Sequence, residues 1–187
     1  MTKPRYTNGR AMQSLKRVDP STPKNVLYAQ ICEQLQELLG DERSFVANAA
    51  NTSALLFQSL PDINWAGFYI AEGRELVVGP FQGKPACVRI PFGKGVCGTA
   101  AAQRKTIVVP DVNHFSGHIA CDTASQSEIV VPLLNWGKVL GVLDIDSASV
   151  NRFDDDDREG VESIVSVFLA SQVTNDLPDL SEEAAVR

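Results

Sequence analysis

No stretch of this chain approaches the roughly 18 consecutive apolar residues that a membrane-spanning helix needs. Its first residues lack the apolar segment of a secretory signal. Cysteine is scarce, four in 187 residues, and 44% of the chain is apolar, which is enough to fill a core without a disulfide framework. There are no internal repeats. Gly93-Lys94-Gly95 lacks both the spacing of a Walker phosphate loop and the Ser or Thr that would follow its lysine. These absences make the cytosol the expected compartment, where thiols are reduced, metal-bound or catalytic.

Positive charge is outnumbered over most of the chain. Residues 1–24 hold six basic side chains (Lys3, Arg5, Arg10, Lys16, Arg17, Lys24) and one acid, Asp19. The other 11 Lys and Arg face 22 Asp and Glu. Such an acidic body repels nucleic acid and anionic membrane, so neither is an expected partner. The basic start reads as an extension that packs on the body or on a partner, or as a weak targeting segment.

The length fits one domain, divided into an extension (1–24), a body (25–175) and a polar tail (176–187). Leu27, Ile31, Leu35 and Leu38 recur at helical spacing over Asn25–Leu39, with Gly40 as C-cap. Asp41 is expected to cap a second helix that ends near Pro61, with Phe45, Val46, Ala49 and Leu56 inward. The period then changes. Trp65–Ile70, Glu75–Val78, Val88–Ile90, Thr106–Val109, Ile129–Leu134 and Val139–Ile145 are short apolar or alternating runs punctuated by Gly and Pro. Gly95–Arg104 reads as a short helix between them. A last helix opens after Phe153, where Asp154 can cap it and the acids that follow suit its N-terminal dipole. Capping explains that aspartate run better than a metal site. The expected fold is α+β: about six mostly antiparallel strands, helices on one face, and a pocket on the other roofed by the long 109–128 loop.

Chemistry concentrates in the middle of the chain. Cys87, Cys97 and Cys121 lie in its loop-rich third, close to two strands that carry Glu128, Asp144 and Asp146. Asp144 and Asp146 share a face of a period-2 strand, with Leu143 and Ile145 on the other. Two acids on one sheet face are costly unless they bind a cation or share a proton. Trp65 and Tyr69 also share a face, as core or as the wall of a pocket. Cys32 reads as core filler on the first helix. His114, His118 and Cys121 have ligand-like spacing for zinc, but the intervening Phe115-Ser116-Gly117 makes a regular helical pair unfavourable.

The order of elements resembles a GAF domain. The motifs Asn64–Tyr69 (NWAGFY), Gly79–Cys87 (GPFQGKPAC), Gly93–Ala100 (GKGVCGTA), Gly117–Asp122 (GHIACD), Ser127–Pro132 (SEIVVP) and Leu143–Ser147 (LDIDS) resemble one GAF family more closely, the free methionine-(R)-sulfoxide reductases. The resemblance runs from about Leu27 to Phe168 and leaves out the extension and Cys32. It implies that Cys121 attacks the sulfoxide, that Cys97 or Cys87 resolves the resulting sulfenic acid as a disulfide, and that a thioredoxin-type dithiol resets it. It implies further that Trp65, Tyr69, Glu128, Asp144 and Asp146 line the substrate site, that no bound cofactor or metal takes part, and that the protein is a homodimer. His118 can help stabilise the attacking thiolate. The competing reading is a GAF module that senses a small ligand without catalysis.

Overall fold

The structure, a computed structural model, describes residues 22–117 and 123–172. The basic extension up to residue 21, the tail beyond 172, and His118 and Cys121 lie outside the described residues. Four helices and six strands follow one another as α1 (Lys24–Leu39), α2 (Phe45–Ser59), β1 (Trp65–Glu72), β2 (Glu75–Gly83), β3 (Arg89–Pro91), α3 (Gly95–Gln103), β4 (Ile107–Val109), β5 (Ser127–Asn135), β6 (Lys138–Ser147) and α4 (Asp155–Ser171). The strands form one sheet in the order β3-β2-β1-β6-β5-β4, with every neighbouring pair antiparallel.

Strand alternation sorts the side chains into two cores. Ala66, Phe68, Ile129, Val131, Leu133, Leu143 and Ile145 face α1, α2 and α4. Trp65, Tyr69, Val130 and Val142 face the opposite side, where α3 supplies Val96, Cys97, Ala100 and Ala101. Leu143 and Ile145 thus point to the helices, as the alternation requires. The other face is closed by α3 as well as by loops.

The second helix departs from its expected start. Asp41 lies in the turn after Gly40, and the N-cap is Ser44, whose hydroxyl accepts from the Ala47 amide at 3.4 Å. Glu42 holds that turn by accepting from the amides of Arg43 and Ser44. Val46 lies off the buried stripe set by Ala49, Thr52, Leu55 and Leu56 and is 63% exposed. At the last helix Asp154 is the N-cap and forms a capping box with Asp157.

β2 runs beyond Val78 because the pairing with β1 shifts between Gly67 and Tyr69. That irregularity takes up Gly79 and Pro80, so a residue without an amide hydrogen is tolerated in the strand. Past it, Phe81 pairs with Gly67, and Gly83 pairs with Trp65.

Candidate active site

Register places the acids and the aromatics on one surface. Asp144 pairs with Gly67 and Val130, and Asp146 pairs with Trp65 and Glu128. Cross-strand partners in an antiparallel sheet share a face. Trp65, Tyr69, Glu128, Asp144 and Asp146 therefore belong to a single patch across β1, β6 and β5.

One wall of the patch is aromatic. Trp65 stacks on Tyr69 with centroids 5.8 Å apart and on Phe81 at 5.2 Å. The Trp65 indole N–H donates to the Lys84 carbonyl at 3.1 Å, which fixes the ring. Phe81 was not singled out from the sequence. Its motif held the signal, but its place in the stack depends on the shifted register of β1 and β2.

The other wall is acidic and buried. Glu128 and Asp144 are each 6% exposed, while Asp146 is half-buried. Cys97, on α3, directs its Sγ at Glu128 Oε1 from 3.7 Å. Asp144 Oδ1 is buried with no hydrogen-bond partner among the described residues. Burial, followed by the charge of Asp144, pushes the Glu128 carboxyl well above the carboxylate range. Burial likewise raises Asp144, from 3.8 to about 7, although hydrogen bonds from Cys97 and Glu128 work against the rise. Burial, then Asp144, then Glu128 push the Cys97 thiol well up. Burial and then Asp144 do the same to the Tyr69 hydroxyl. Burial thus shifts Glu128 and Cys97 toward their protonated forms and leaves Asp144 poised between its two forms near neutral pH.

The cysteines divide into three environments. Cys97 is buried with a free thiol, and Cys32 is a half-buried free thiol against the helix-side core. Burial raises Cys32 too. Cys87 is half-buried, packed at the margin of the site-side core, and disulfide-bonded. His114 is exposed on a short 3-10 turn and pairs with Asp111 at 2.9 Å. Three groups near the site do lie close enough to hold a metal ion: Cys97, Glu128 and Asp144 each offer a ligand atom, all within 4.8 Å of one another.

An antiparallel sheet with a three-helix layer on one face and a short helix on the other is consistent with a GAF domain, and the GAF domain family matches residues 25–172. The free methionine-R-sulfoxide reductase of Escherichia coli is 52% identical over 153 residues, 82% of this chain and 93% of that protein. The protein of the same name from Saccharomyces cerevisiae is 47% identical over 161 residues, 80% of this chain and 89% of that one. A crystal structure of the Neisseria meningitidis free methionine-R-sulfoxide reductase in complex with its substrate superposes with a TM-score of 0.79 at 39% identity, covering 90% of this chain and 98% of that one. The chain belongs to the free methionine-R-sulfoxide reductase family of GAF-domain oxidoreductases.

Proposed function

We propose that this protein reduces the R epimer of free methionine sulfoxide to methionine with its own thiols. The Cys121 thiolate attacks the sulfoxide sulfur while a proton reaches the sulfoxide oxygen. Oxygen passes to the cysteine as a sulfenic acid, and methionine leaves. A second thiol attacks the sulfenic sulfur, water departs, and a disulfide carries the two oxidising equivalents. A thioredoxin-type dithiol then reduces that disulfide. Electrons come from thiols throughout, so the chemistry needs no bound cofactor. The family relation supports a homodimer, and the dependence on reduced thiols suits the cytoplasm.

The observation that carries this reading is Asp144, a buried carboxyl raised by burial to about 7, with one oxygen unpartnered among the described residues, beside an aromatic wall. A group that titrates near neutrality is suited to donate a proton to a sulfoxide oxygen. Asp146, half-buried on the same strand, suits the substrate ammonium. The Trp65–Tyr69–Phe81 stack suits the thioether methyl. Cys87 is the preferred resolving thiol, because it already takes part in a disulfide, whereas Cys97 is buried with its thiol pushed up. The name of the substrate-bound Neisseria protein supports the same substrate.

The test is turnover with separated R and S epimers of free and peptide-bound methionine sulfoxide. The free R epimer should be reduced and the peptide-bound form should be poor, because its nitrogen is an uncharged amide. Equal rates on the peptide would remove the role given to the acids.

A further inference from the structure

The three buried acidic groups Cys97, Glu128 and Asp144 converge from three elements: α3, the start of β5 and the centre of β6. We propose that they also form a binding site for a borderline-soft divalent cation of the zinc class, and that its occupation excludes the sulfoxide. The binding claim stands on geometry, whereas the exclusion rests on the substrate reading above.

Zinc takes thiolate sulfur at about 2.3 Å and carboxylate oxygen at about 2.1 Å, and a tetrahedral angle then sets sulfur and oxygen about 3.6 Å apart. Cys97 Sγ and Glu128 Oε1 are 3.7 Å apart. The third ligand atom lies within 4.8 Å of both, so a small inward shift of Asp144 completes a three-ligand set. Asp144 Oδ1 has no hydrogen bond among the described residues to lose when it binds a cation. Three ionisable groups buried together need protons or a cation to offset their charge; one divalent ion can ligate all three and offsets two of their three negative charges. One soft sulfur with two oxygens favours zinc over magnesium or calcium, which take oxygen. Three protein ligands are the number that zinc sites with an exchangeable fourth ligand use. His114, paired with Asp111 on an exposed turn, has no part in it.

Cobalt(II) is the probe, because thiolate ligation gives it a charge-transfer band in the near ultraviolet. The oxidised protein is titrated, since Cys87 is then in its disulfide and Cys32 and Cys97 are the free thiols among the described residues. The band is expected to saturate at one equivalent, to persist in Cys32→Ala, to vanish in Cys97→Ser, and to need at least tenfold more cobalt in Asp144→Asn. The Asp144→Asn arm keeps the sulfur, so it decides the matter if Cys97→Ser fails to fold by circular dichroism. A band that survives Cys97→Ser, disappears in Cys32→Ala or is unchanged in Asp144→Asn overturns the site. In reduced enzyme, zinc should raise the apparent KM for the sulfoxide with kcat unchanged, and a chelator should reverse this. An unchanged KM at zinc levels that displace cobalt overturns the exclusion. Failure to reduce any sulfoxide would overturn the substrate reading while leaving the cobalt result intact.

Discussion

Gly67 stands opposite Asp144 in the pairing of β1 with β6, so the strand position facing the poised carboxyl carries no side chain. A Cβ at Gly67 would lie 2.2 Å from Phe81 Cβ and 2.8 Å from the far edge of the Trp65 ring. The aromatic stack occupies the space that this glycine leaves. Packing of the wall and access to the acids therefore depend on one backbone position.

Gly67→Ala should displace Trp65 or Phe81 and disturb the pairing of β1 with β2. Overpacking of this kind costs about 1–3 kcal/mol. The expected result is a lower melting temperature together with at least a tenfold rise in KM for the sulfoxide. A variant with lowered stability but parental KM would show that the stack is core and not substrate wall.

The cysteines should separate by experiment as well as by environment. Cys121→Ser should yield no methionine in a single turnover with a strong dithiol present, because a hydroxyl cannot become a sulfenic acid. Cys87→Ser should still form one methionine per chain but lose thioredoxin-coupled turnover by at least tenfold. Peptide mapping of the parent after one turnover should find Cys121 joined to Cys87, with Cys32 and Cys97 unmodified. A Cys121–Cys97 bridge as the first product would transfer the resolving role to the buried thiol.

Much of this arrangement was legible in the sequence. Period-2 alternation in Leu143–Asp146 separates the helix-facing residues from the acids, and the structure keeps that separation. The start of α2 was misread because Asp41 and Ser44 are both good caps, and the choice between them depends on how the turn after Gly40 closes. Phe81 was missed because a register shift two strands wide decides which face it joins. The direct contact of Cys97 with Glu128 has no signal in periodicity or spacing, since it links α3 to β5 across 31 residues of chain; only the resemblance placed both at one site. The aspartate run after Phe153 was legible as a cap, yet one member does more. Asp157 is fully buried and binds Lys24, Arg152 and the Tyr28 hydroxyl.

That last cluster ties α1 to α4 far from the chemistry. Asp157 accepts from Tyr28 at 2.8 Å and from Arg152 at 2.9 Å, and it pairs with Lys24 at 2.5 Å. Asp157→Asn removes one partner of a buried ionic group, which costs about 3–5 kcal/mol. The urea midpoint should fall accordingly, while KM at low temperature stays parental. A parental midpoint would mean that Lys24 and Arg152 find solvent readily and that the cluster contributes little.

Asp144→Asn keeps the shape of the side chain and removes its titration. The folded protein holds this carboxyl at about 7, against an ordinary value of 3.8, chiefly through burial. Between those two values the native state binds a proton that the unfolded chain has released. Stability should therefore fall as pH rises through this window, and below it both states are protonated and the group costs nothing. The asparagine variant should lose that slope, so a comparison of urea unfolding at about pH 4 and about pH 8 should favour it only at the higher pH. Catalysis should decline over the same range. If protonated Asp144 delivers the proton to the sulfoxide, parental kcat should decline as pH climbs through about 7. The variant should be at least tenfold lower in kcat/KM, about 1.4 kcal/mol of transition-state stabilisation, with that limb of its profile missing. Asp146→Asn should instead raise KM, because its carboxylate is assigned to the ammonium and not to proton transfer. A variant at Asp144 that keeps both the parental rate and the parental pH limb would move proton donation to Glu128, for which Glu128→Gln is the matching measurement.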